Sequence, residues 1–169
     1  MKYLKVISLF LILGIAAGAH QQAQKDRSVT AFDRLQSLTG DWEGTFTENG
    51  QTMSATTTFR TVSGGTVVMD DLAPGTPHEM ITMFHQDGQD LLATHYCLMN
   101  NQPRMKLVPT SEPNVIAFEF KDATNLPSPA VPHMEGVKFT LVDANHHIED
   151  WTIVANGQTS IRRFEFHRT

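Results

Sequence analysis

Cysteine is nearly absent from this chain. Cys97 stands alone among 169 residues, so no disulfide can form within it, and the fold must be held by its core rather than by crosslinks. Its neighbours Tyr96 and Leu98 suit a buried, inert thiol. Positive charge is also scarce. Lys and Arg total 13 against 18 Asp and Glu, a net charge of −5, and no segment gathers the cations into a stripe. That balance argues against nucleic acid and anionic membranes as partners. Beyond residue 15 no apolar run approaches the roughly 20 residues a membrane span needs, and no internal repeat is visible.

The start of the chain has what the rest lacks. Lys2 and Lys5 precede an apolar run from Val6 to Ile15, and Ala16-Ala17-Gly18-Ala19 follows. Basic, apolar and small-residue regions in that order are the pattern of a secretory signal peptide, with small residues at −3 and −1 for a cut after Ala19. Residues 1–19 are therefore expected to be removed on export to the periplasm or the medium, with His20 as the new N-terminus. The cut leaves 150 of the 169 residues, and −5 less the two lysines gives a net charge of −7. That length suits one domain with its own core.

Residues 20–28, HQQAQKDRS, read as a flexible polar arm. Val29, Phe32, Leu35 and Leu38 have the spacing of a short amphipathic helix, which Thr39-Gly40 ends. From Asp41 the apolar period changes to two. Ile116, Phe118 and Phe120 alternate with Glu119 and Lys121, and Phe164 and Phe166 alternate with Arg163, Glu165 and His167. Asn49-Gly50, Asp87-Gly88 and Asn156-Gly157 are hairpin turn pairs. The pattern predicts about ten strands, near 41–48, 51–62, 66–73, 79–86, 90–99, 102–108, 114–121, 134–142, 147–155 and 158–168. The fold class is all-β: a single antiparallel meander barrel over residues 29–169 behind a short N-terminal helix. The proline-rich stretch from Asp122 to Pro132 is long enough for a lid over a barrel mouth or for a stiff surface crossing.

The helix, the segment Gly40-Asp41-Trp42-Glu43-Gly44 and the meandering strands together resemble the calycin group of lipocalins, fatty-acid-binding proteins and nitrobindins, in particular small secreted bacterial domains of unknown function. The resemblance implies a closed barrel with a ligand cavity and leaves the ligand open. The inter-strand disulfide of lipocalins is impossible here. A nitrobindin-like haem ligand is not carried over, because His167 alternates away from the Phe164 and Phe166 face, and no cofactor is assigned.

The candidate residues follow from register. A two-residue Asn156-Gly157 loop sets Trp151 opposite Arg162, so Trp151, Arg162 and Phe164 share the apolar face. An arginine there needs a partner: a cation–π stack on Trp151, a carboxylate such as Glu149, or a ligand anion. Arg162-x-Phe164 is similar to the last-strand arginine with which fatty-acid-binding proteins hold a carboxylate, with Phe in place of Tyr. His95 and Tyr96 lie on opposite faces of one strand, both apolar, with Cys97 on the His95 side. Met69, Phe118 and Phe139 add cavity lining. Arg162, Trp151, His95, Tyr96, Met69, Phe118 and Phe139 are thus the expected ligand-binding residues. No catalytic set is recognised. Of the eight histidines, His78, His85 and His95 could meet with Glu79 around one barrel end, and His146 and His147 point to opposite faces; none has zinc-motif spacing, and no metal is assigned. The sequence favours an exported, non-catalytic binder of a small apolar or amphipathic molecule. Its alternatives are an enzyme acting through His95 with Asp71 or Cys97, and a scaffold whose core is filled.

Overall fold

The period-two segments pair in chain order and close on themselves. The structure, a computed structural model, describes the backbone of residues 4–169 and the side chains of residues 18–169. The expected signal peptide therefore lies largely outside the described side chains, and residues 1–3 lie outside altogether. One helix, α1 (Leu4–Gln36), precedes ten strands: β1 (Gly40–Glu48), β2 (Gln51–Val62), β3 (Val67–Leu72), β4 (Met80–Asp87), β5 (Asp90–Tyr96), β6 (Gln102–Val108), β7 (Val115–Thr124), β8 (His133–Asp143), β9 (His146–Ala155) and β10 (Gln158–Arg168). Each strand is antiparallel to the next, and β10 returns to pair with β1, so the barrel is closed and has no free edge.

The N-terminal segment differs from expectation. Residues 20–28 are helical and continuous with the rest of α1 rather than a flexible arm. The buried stripe is also rotated: Ser28, Ala31, Phe32, Leu35 and Leu38 are buried, whereas Val29 is 45% exposed. The stripe packs into the same core as Trp42, Phe59 and Phe139, so the helix plugs one end of the barrel. Trp42 Nε1 donates to the Leu38 carbonyl at 2.8 Å. The Arg168 guanidinium lies 4.2 Å over the Trp42 ring and donates to the carbonyls of Ser37, Thr39 and Ala144. The Ser37 and Thr39 carbonyls lie just past the end of the helix, where backbone acceptors are left without helical partners, and a cation suits the negative end of its dipole. Among the described residues no helix is long and apolar enough to cross a membrane.

The other end is open. It is framed by the Asn49-Gly50 turn, the 73–79 loop, the 97–101 loop, the 125–132 loop and the Asn156-Gly157 turn. Both Asn-Gly turns have positive φ at both residues, as a two-residue hairpin loop requires. The 125–132 loop is tied down: Asn125 donates to the Asn100 carbonyl and Asn101 to the Pro132 carbonyl at 2.9 Å. Closure depends on Gly44, which sits opposite Phe166. A Cβ there would lie 2.1 Å from the Glu165 carbonyl oxygen and 2.8 Å from the Phe166 ring. Gly44→Ala should force β1 away from β10 and destabilise the domain by about 1–3 kcal/mol or more, as overpacked positions do. Chemical denaturation checks this; an unchanged midpoint would mean that the seam can shift without cost.

Candidate functional site

Alternation sends Trp42, Phe59, Phe84, Phe118, Phe139 and Phe166 inward, and they fill the helix-capped half. Phe84 meets Phe118 and Phe139 at ring distances of 5.4 and 5.7 Å, and Phe59 meets Phe139 at 6.3 Å. Toward the open end the packing stops. A cleft of about 450 Å³ is lined by Phe46, Met53, Leu72, Met80, Leu98 and Phe164, with Glu48, Thr56, His78 and Arg162 as polar members. Below it a cavity of about 10 Å³ shares Leu72, Met80, Arg162 and Phe164 with the cleft and ends on His95, Met134, Trp151 and Ile153. That space holds about one water.

Arg162 stands where the cleft narrows. Its guanidinium bonds the Glu48 carboxylate and lies 5.6 Å from the centre of the Phe46 ring. The pair is partly solvated, with side chains 32% and 41% exposed. The expected stack of Arg162 on Trp151 and its bond to Glu149 are not formed. The reason is barrel closure, which pairs Phe46 with Phe164 and thereby brings Glu48 beside Arg162. Glu149 instead accepts from Trp151 Nε1 at 2.9 Å and shares a hydrogen bond with His147 Nε2 at 3.0 Å.

Beneath Trp151 lies a buried polar network. Thr57 donates to Asp70 at 2.5 Å, and Thr82 shares a hydrogen bond with His95 Nδ1 at 2.9 Å. The His95 ring packs on Trp151 at 4.9 Å. Asp70 Oδ2, His95 Nε2 and His147 Nδ1 have no hydrogen-bond partner among the described residues. Burial holds the His95 imidazole down to about 4, and His147 likewise to about 4. Burial pushes the Glu149 carboxyl up to about 7. Asp70 is raised well above the usual carboxylate range by burial and then by the neighbouring Glu149 charge. At neutral pH both rings are uncharged.

Of the seven expected ligand-binding residues, Arg162, Trp151 and His95 meet at the inner cavity. Phe118 and Phe139 point inward but lie in the filled half. Tyr96 is half exposed on the outer wall. Met69 is also off the lumen, because Asp70 beside it faces Phe59 inside the barrel. The inward face of β5 is the one carrying His95, opposite Thr82. His95 forms no couple with Asp71 or Cys97: Asp71 contacts Arg60 across β2 and β3, and Cys97 accepts from the Met99 amide. His78, Glu79, His85 and His95 do not assemble into a cluster either, since His95 is inside the barrel and His85 outside it. Glu48 and Asp70 were missed. Alternation from Trp42 marks Glu48 as inward, but its partner lies across the closure seam. Asp70 alternates inward with Val68 and Leu72, a signal masked by the acidic neighbour Asp71.

Fold and site define a ten-stranded meander barrel, capped by a helix at one end and open to a small cleft at the other. No protein-family profile and no curated protein matches the chain. Among solved structures it is similar to Rv2717c from M. tuberculosis, with 17% identity and a TM-score of 0.53 over 82% of this chain and 97% of that one. At that identity the likeness concerns the fold alone.

The buried network makes stability depend on pH. Between its ordinary value of 4.5 and about 7, Glu149 keeps in the fold a proton that the unfolded chain has lost. Its contribution is full below 4.5 and is lost as pH rises through 7. His95 and His147 act oppositely: below 6.5 the unfolded chain takes up protons that the fold refuses until about 4, so stability falls as pH falls. Glu149→Gln keeps an acceptor for Trp151 and removes only the acid's contribution. Its stability relative to wild type should rise across pH 4.5 to 7, by an amount on the order of a few kcal/mol, and level off above. Denaturation curves across that range check this; a constant offset would refute a buried, proton-holding Glu149.

Proposed function

We propose that this is an exported, non-catalytic binding protein of the calycin kind, which takes a small amphipathic molecule in the mouth of its barrel. The observation that carries the reading is the open-end cleft of about 450 Å³, within the roughly 300–1,000 Å³ of small-molecule sites. Its walls are apolar, and Met53 and Met80 give them an adaptable surface. Its polar groups converge on one region, where Arg162 and Glu48 pair and His78 stands at the rim. Because the helix-capped half is filled, the apolar part of the ligand lies across Phe46, Phe164 and Leu98 rather than along the barrel axis. Arg162 takes an anionic head group by exchanging Glu48 for it. Export rests on the basic, apolar and small-residue order ahead of His20, and calycin kinship on Gly40 to Gly44 with the ten-strand meander.

Titration with a fluorescent fatty acid tests the reading. Arg162→Gln should weaken binding about tenfold or more, the loss of one charge-assisted hydrogen bond. Its apo stability should change by about 1 kcal/mol or less, since the pair with Glu48 is partly exposed. Glu48→Gln frees Arg162 and should tighten binding of the same probe. Failure of the wild type to bind any apolar probe would reject the binding function. Equal affinity in all three proteins would reject the anionic head group.

A further inference from the structure

The outer wall of the closure seam carries a cluster that the mouth cleft does not use. Alternation that turns His147 inward turns His146 outward, and β9 and β10 pair with His146 directly opposite His167. The two imidazoles stack with ring centres 4.3 Å apart and planes 23° from parallel. Glu165, two residues before His167 on the same face, places Oε1 3.0 Å from His146 Nε2. That nitrogen is buried and makes no aligned hydrogen bond, so the contact leaves lone pairs on both sides available to a third body. One ligand atom from each of the three residues falls within 4.8 Å of the others.

We propose that His146, His167 and Glu165 form a binding site for a divalent transition metal of the zinc class on the outer wall of the barrel. Two imidazole nitrogens and a carboxylate oxygen are a donor set suited to such ions and unsuited to calcium or magnesium, which take oxygen ligands. Donors about 2.0–2.2 Å from a tetrahedral ion stand roughly 3.4 Å apart. Side-chain rotation on fixed strands closes the remaining gap, and two of the three groups are exposed enough to move. Local charge favours the cation. Glu43 of β1 stands opposite His167, and Asp143 of β8 stands opposite His146. The three arginines on the same strand are already engaged, Arg162 with Glu48, Arg163 with Asp150 and Arg168 with backbone carbonyls. Three protein ligands leave a fourth position for water or a donor from a partner. The bound ion would clip β9 to β10 independently of any ligand in the mouth.

Calorimetric titration of zinc into tag-free full-length protein, stripped with chelator, should show a single equivalent bound near neutral pH. Losing even an outer-shell partner typically costs about 10–100-fold in metal affinity, so His167→Gln and Glu165→Gln should each weaken binding by at least about tenfold. His167 is exposed, so its substitution should leave the fold intact, which a thermal melt checks. His85→Gln, on the outer face of β4, should bind zinc as the wild type does. An absence of zinc binding by the wild type, or undiminished affinity in His167→Gln, would overturn the proposal.

Discussion

Pairing of the first strand with the last is the constraint on which the rest of this molecule depends. β1 and β10 come within hydrogen-bonding distance only because residue 44 has no side chain to meet the Glu165 carbonyl and the Phe166 ring. Once they pair, three consequences follow from one register. Trp42 lies beside Arg168, which ties the strand ends to the end of the helix. Phe46 faces Phe164, which brings Glu48 to Arg162 at the mouth. Glu43 stands beside His167 on the outer wall. The cap and the mouth are set by the same seam at different heights, and the outer cluster on β9 and β10 borders it.

The interior divides by side-chain volume and polarity. Near the helix, six large aromatic rings and the helix stripe leave no room for a ligand. Near the mouth, the inward positions of β1, β2 and β3 carry Phe46, Ala55 and Leu72, and the space between them stays open. Between the two lies the polar layer of Thr57, Asp70, Thr82, His95 and Glu149, all buried, and His147, packed against Trp42 and Phe166 in the capped half, reaches it through Glu149. Such groups are costly inside a protein unless paired. Here they are mostly paired and mostly uncharged, which is how burial resolves the conflict between a carboxylate and an apolar lumen. Trp151 joins this layer to the cavity: its N–H holds Glu149, and its ring packs on His95.

Much of the fold was legible from residue order. The strands at 51–62, 102–108 and 158–168 have the expected ends, and the others differ by a few residues. The Asn156-Gly157 turn delivered Ala155 opposite Gln158 and Trp151 opposite Arg162, as its two-residue loop requires. At the β4–β5 hairpin the turn is Gly88-Gln89 rather than Asp87-Gly88. A one-position slip of the turn moves partners by two, so His95 still shares a face with Thr82. The helix was harder. Its polar middle, residues 20–28, offers no periodic apolar signal, and Ser28 and Ala31 are buried because the stripe continues upstream of Val29. Of the candidate residues, Arg162, Trp151 and His95 share one small cavity, whereas Tyr96 and Met69 face away from the lumen; apolar side chains on both faces of the 90–99 segment hide which face of that strand turns inward.

What the sequence by itself determined was local: period two, turn chemistry, and the parity that decides which side chains share a face within one hairpin. These depend on residues a few positions apart, and their physics is complete at that range. What only the tertiary structure decided was the pairing of residues 40–48 with residues 158–168. With it came the partner of Arg162, the face of β5 that looks into the lumen, and the depth to which the lumen is filled. No turn connects β1 to β10, so no local rule fixes their register. It is set by the whole circuit of strands and by the close approach that Gly44 allows.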